Sequence, residues 1–136
     1  MTPQPTITPT PSPDPEKSAT FAPISGGLDH DPNEGFIKSE FADISIADMV
    51  IEATFTNPYS ADHHSWDYGF ILREQSNATA ASFIEVTVTS ANLWSAVLRD
   101  TNSASGKRLG GGTLLNLSTD TDGENHLRVV AIGERG

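Results

Sequence analysis

Apolar and polar residues alternate with a period of two through a succession of short runs in this chain, and turn-forming residues separate the runs. That period belongs to strands with one buried face. No segment keeps a helical apolar spacing for three turns, so the expected fold is antiparallel all-β with little helix. GFIKSEFADIS, DMVIEATFTN and WDYGFILRE read as the first three strands, with NPYSADHHS as a polar loop between the second and third. SFIEVTVTS and LWSAVLRDT form a hairpin about Ala91 and Asn92, because Asn tolerates the left-handed backbone of a tight turn. TNSASGKRLGGG reads as loop, GTLLNLS as a short strand, TDTDGEN as a turn and HLRVVAIG as the last strand. GERG then has the look of a hairpin tip without its return strand, which would leave an open ladder edge. Truncation of the domain at its C-terminus is therefore expected.

The alternation does not reach the N-terminus. TPQPTITPTPSPDPEKSAT has no apolar period and cannot bury enough surface to offset chain entropy. Residues 1–20 are expected to be a disordered, extended Thr/Pro-rich linker, leaving residues 21–136 for one modest domain. A net charge of -10 over 136 residues, with basic residues few and scattered, excludes a phosphate-binding surface and hence nucleic acid. The chain has no cysteine, so it has no disulfide framework, thiol nucleophile or zinc-thiolate site. No run is apolar for the length of a membrane span. Thr/Pro spacers commonly separate a displayed module from an anchor or another domain, so an extracellular or cell-surface location within a larger parent protein is expected.

Parity assigns faces. Trp66, Tyr68, Phe70 and Leu72 fall on one side of their strand, and Asp67, Gly69, Ile71 and Arg73 on the other. The hairpin divides likewise, with Ile84, Val86, Val88, Trp94, Ala96 and Leu98 in the apolar set. Both tryptophans are thereby expected to pack in the core rather than stack on a sugar. The opposite set gathers Arg73, Glu85, Thr87, Ser95, Arg99, His126 and Arg128. If their strands are neighbours, these residues make either a polar face able to bind hydroxyls or carboxylates, or a solvated one.

On WDYGFILR, the later W-S-x-x-L-R, N-H-L-R-V-V-A-I-G and the earlier GGLDHDPNEGFI, the chain resembles concanavalin A-like modules of the laminin G and glucanase type. Such modules occur in multidomain bacterial surface and secreted proteins. The resemblance runs from about Ile24 onward and implies an antiparallel jelly-roll sandwich. Relatives carry an aromatic-rich hairpin and further strands after the final strand found in this chain. More distantly, GFILR and FIEV are similar to paired strands of the 3-keto-disaccharide hydrolase domain, which implies Arg73 and Glu85 as contacts on a concave face.

Retaining glucanases of this fold use E-x-D-x-E, which places nucleophile and general acid on one face; no such triplet occurs. Asp62, His63 and His64 could ligate a metal, but adjacent histidines on an exposed loop fit ordinary polar loop composition. DTDG lacks the closing Glu of an EF-hand and suits a hairpin turn. GKRLGGG lacks the order of a phosphate loop, and no Gly-x-Ser-x-Gly elbow exists. No metal or cofactor is assigned. The expected function is a non-catalytic module binding a carbohydrate or cell-surface ligand, with Arg73, Glu85 and Arg99 as polar contacts and Tyr59 as an apolar platform. A 3-keto-glycoside hydrolase-like enzyme and a structural or sensory ectodomain remain the alternatives.

Overall fold

The structure, a computed structural model, describes residues 23–28, 31, 33, 38–40, 42, 48–76, 79–101 and 103–133. The Thr/Pro segment and most of the expected first strand, 35–45, lie outside the described residues. The described residues form six strands: β1 (Met49–Thr56), β2 (Asp67–Ser76), β3 (Ala81–Thr89), β4 (Leu93–Asp100), β5 (Ser103–Thr113) and β6 (Glu124–Ala131). They make two antiparallel sheets without a closed barrel, one ordered β2-β3-β4-β5 and the other β1-β6. The expectation of an antiparallel all-β chain holds, and the arrangement is sandwich-like.

The hairpin between β3 and β4 turns at Asn92, whose φ is 60° and whose amide bonds the Thr89 carbonyl. Asp122 of the Asp-Gly turn before β6 has φ 58°, but the turn is not the expected hairpin, because β6 pairs with β1 while β5 belongs to the other sheet. Two further expectations fail. Residues 101–112, read as loop, contain β5; residues 112–118, read as strand, leave the sheet at Thr113. The cause of the first is irregular register. β5 pairs with β4 through shifts between Ala96 and Val97 and between Leu98 and Asp100, so extra residues erase the period of two that sequence reading depends on. In the second segment a last backbone bond joins the Leu114 amide to the Asn92 carbonyl at 2.7 Å, and beyond it Leu115 stands 90% exposed.

The sheets meet through the face that parity marks as apolar. Trp66, Leu72, Val88 and Ala131 are buried. Phe55 of β1 stacks on Tyr68 of β2 with centroids 4.6 Å apart, and Tyr68 stacks on Trp66 at 4.9 Å. Trp66 is further held by its Nε1, which donates to the Tyr59 carbonyl at 3.0 Å. Trp94 departs from expectation. It lies opposite Val88 on the same face, yet it is 37% exposed against 5% for Trp66. The reason is coverage, since the two-stranded sheet packs its aromatic contact against β2, and burial fades toward β4 and β5.

At one end of this interface a buried amide network closes the sandwich. Asn57, only 1% exposed, donates from Nδ2 to the carbonyls of Ser118 and Asp120 at 2.8 and 2.9 Å. Its Oδ1 accepts from the Tyr68 hydroxyl at 2.9 Å, and that hydroxyl accepts from Asn125 Nδ2 at 2.7 Å. Asn125 Nδ2 also donates to the Ser118 carbonyl, and Asn125 Oδ1 accepts the Ser118 amide at 2.8 Å. Buried amides so satisfied are inexpensive, whereas removing one strands several partners at once.

Asn57→Ala should therefore lower stability by roughly 3 kcal/mol in urea unfolding; a loss below about 0.5 kcal/mol would show that the network is dispensable. Burial pushes the Tyr68 hydroxyl above its ordinary 10.0, opposed by the smaller lowering effect of the Asn125 hydrogen bond. Because the folded value exceeds the unfolded one, the neutral phenol's contribution is complete below pH of about 10 and is lost as pH rises through the folded value. Tyr68→Phe should remove that alkaline loss, read as a flatter melting temperature against pH in the alkaline range.

Candidate functional site

Register places a polar surface on the face of the four-stranded sheet turned away from β1 and β6. Gly69, Thr87, Ser95 and Gly111 stand in one row across β2, β3, β4 and β5. On one side runs the row Ile71, Glu85, Val97 and Arg108, and on the other Asp67, Thr89, Leu93 and Thr113. Small residues between taller ones make a cross-strand trough, about 14 Å long for three inter-strand steps. Its floor is polar, with the Thr87 and Ser95 hydroxyls 3.1 Å apart. The glycines at its ends are sterically required. A Cβ on Gly69 would strike the Val86 carbonyl, and one on Gly111 would strike the Trp94 carbonyl as well as the Arg108 guanidinium, which folds over that end.

The wall of the trough carries its charge. Arg99 reaches diagonally from β4 to Glu85 on β3, with Nε at 3.3 Å from Oε2 and the terminal nitrogen at 3.2 Å from Oε1. This is a bidentate pair in which Glu85 is 13% and Arg99 37% exposed. The pair offers a fixed carboxylate edge and guanidinium donors to a hydroxyl-bearing ligand.

Of the four residues expected to bind a ligand, the structure brings Glu85 and Arg99 together. Arg73 sits at a bulge, where the pairing shifts between Leu72 and Gln75 and its own φ is 53°. There it faces Asp48 at 3.9 Å, and Asp48 Oδ1 also accepts the Gly133 amide. Arg73 thus ties β2 to the sheet of β1 and β6. Tyr59 lies beyond the other end of β2, its hydroxyl 3.4 Å from the Ser65 carbonyl and its ring edge-on to His64. Trp66 and Arg73 are separated by about 23 Å of strand, so one small ligand does not span Tyr59 and Arg73. His126 and Arg128 belong to the other sheet, where both contact Glu52, Arg128 at 2.8 Å and His126 at 3.4 Å. Gly69 was assigned to this face by parity, whereas Gly111 and Arg108 went unrecognised in the sequence because only the pairing of β5 places them.

The carboxylates of this face do not suit glycoside hydrolysis. Asp67 pairs with Thr89, four residues along β3 from Glu85, which sets the two acids about 14 Å apart along the strand direction, beyond the spacing that either stereochemical course uses. Asp62, His63 and His64 occupy an exposed turn, where the His63 and His64 amides bond the Ser60 carbonyl. Comparison with family models, curated proteins and solved structures gave no match.

A double-mutant cycle with Arg99→Ala and Glu85→Gln should return a coupling of about 1 kcal/mol, as expected for a bidentate pair that is partly screened by solvent. A coupling indistinguishable from zero would mean that the pair is not maintained in solution.

Proposed function

We propose that this chain is a non-catalytic glycan-binding module of the concanavalin A-like jelly-roll type, displayed outside the cell on its Thr/Pro-rich segment. The observation that carries the reading is the cross-strand trough, with hydroxyls on its floor and the Glu85–Arg99 pair on its wall. A sugar presents alternating donors and acceptors around an otherwise compact ring. Thr87 and Ser95 can exchange their mutual hydrogen bond for bonds to sugar hydroxyls at little cost, since each hydroxyl both donates and accepts. Glu85 accepts from one hydroxyl while Arg99 donates to its neighbour, and Arg99 keeps Glu85 oriented before the ligand arrives. The wide separation of Asp67 and Glu85 favours binding over turnover. The trough's length suits a short oligosaccharide rather than a single ring.

Glycan-array screening of the chain tests this reading. Saturable binding of an oligosaccharide is expected. It should weaken about tenfold in Glu85→Gln and in Arg99→Ala, with Arg99→Lys intermediate because a point charge cannot replace the bidentate fork. Hydrolysis of a keto-disaccharide would replace this reading with the enzymatic one. Absence of any glycan binding would favour a structural ectodomain.

A further inference from the structure

We infer that Trp94 is a preformed stacking platform for a beta-linked, all-equatorial pyranose. It lies on the face of the sheet opposite the trough, so it is a second and separate sugar contact, and the inference rests on the glycan-binding reading. Trp94 pairs with Gly112, and its neighbour on the same face, Ala96, pairs with Gly110. The indole lies along β5 over these two glycines. A Cβ on Gly110 would stand 3.2 Å from Cη2 of the ring, and one on Gly112 would stand 3.1 Å from Nε1. Both ends of the indole are thus in contact with bare backbone, and any larger residue at either position would prop the ring off the strand.

Trp94 is 37% exposed although its indole meets β5 at Gly110 and Gly112, and the side of the ring turned away from that strand is the one we assign to a ligand. Trp66 shows the contrast, since its ring is stacked on Tyr68 and its Nε1 is bonded to a carbonyl. Trp94 takes part in no ring pair among the described residues, and none of them supplies an acceptor for its Nε1. An open π-face attracts the partially positive axial hydrogens that an all-equatorial pyranose presents on its flat sides. The unused indole N–H at the rim donates to a hydroxyl or ring oxygen. Lys107, opposite Leu98 on the same face, supplies a further exposed donor. Because the glycine bed already fixes the ring, little side-chain freedom is lost on binding. A proline-rich helix is the competing ligand for an exposed indole, but it is usually grasped in an aromatic-lined groove. A single flat ring suits a pyranose better.

Acrylamide quenching of tryptophan emission, with cellohexaose as the probe, reads the platform directly, because Trp66 is shielded. Cellohexaose should protect the wild-type chain from quenching. By calorimetry, Trp94→Ala should bind it about tenfold more weakly or worse, with urea midpoint and circular dichroism close to wild type. Gly112→Val keeps the indole but displaces it, and should lose affinity alike; this variant decides the matter if Trp94→Ala folds poorly. Unchanged cellohexaose affinity in both variants overturns the inference. If Glu85→Gln alone then abolishes binding, the sugar occupies the trough and the glycan-binding reading stands. No cellohexaose binding by the wild type, with other glycans retained on the array, overturns the platform alone, whereas an empty array overturns both. Protection by decaproline at lower concentration than cellohexaose assigns the ring to a proline-rich ligand and overturns the inference.

Discussion

Tyr68 stands between the rings of Phe55 and Trp66 while its hydroxyl bonds both Asn57 and Asn125, so apolar contact and polar satisfaction meet in one side chain. The stack brings β1 and β2, which belong to different sheets, to a fixed separation. The amides then bind the end of β1, the start of β6 and the segment around Ser118 and Asp120 to the same point. A phenol supplies both requirements because its ring is apolar and its tip is not. Burial is what raises the hydroxyl's pKa, and the same burial makes the amide partners necessary.

Anchoring at Tyr68 also sets what remains uncovered. Among the described residues two strands face four, and with the aromatic contact on β2 the shelter they give ends before β4 and β5. Leu72 and Val88 are buried while Trp94, on the same face, keeps an open side. Trp94 therefore packs on its own sheet instead of on the opposing one, which β5 permits by presenting glycine on that face. Two chemically different surfaces result. One face of the four-stranded sheet shows hydroxyls and a charge pair, and the other shows a single aromatic plane.

The Glu85–Arg99 pair shows how local register decides whether polar residues cooperate. The side chains reach across one inter-strand step, diagonally, and need no long-range closure to meet. Arg73 is one residue past the regular part of β2, and the bulge turns it toward Asp48. Its contribution is to join the two sheets. Chemistry on a sheet face thus depends on uninterrupted alternation, and one extra residue removes a side chain from the row.

Much of the fold was legible in the residues. Alternation in DMVIEATFTN, WDYGFILRE, SFIEVTVTS, LWSAVLRDT and HLRVVAIG identified five strands, and Asn92 and Asp122 marked their turns, because period and left-handed tolerance are local properties. The polar character of Glu85, Thr87, Ser95 and Arg99 followed from the same parity. Four outcomes needed tertiary structure. Bulges hid β5, since an inserted residue destroys the period without destroying the pairing. The burial of Asn57 depends on partners about sixty to seventy positions away, Ser118, Asp120 and Asn125, which no local pattern encodes. The trough exists only where β5 brings Gly111 and Arg108 beside β4. Finally, the tryptophans shared a parity but not a fate: parity chooses a face, whereas burial depends on whether the opposing sheet reaches that strand.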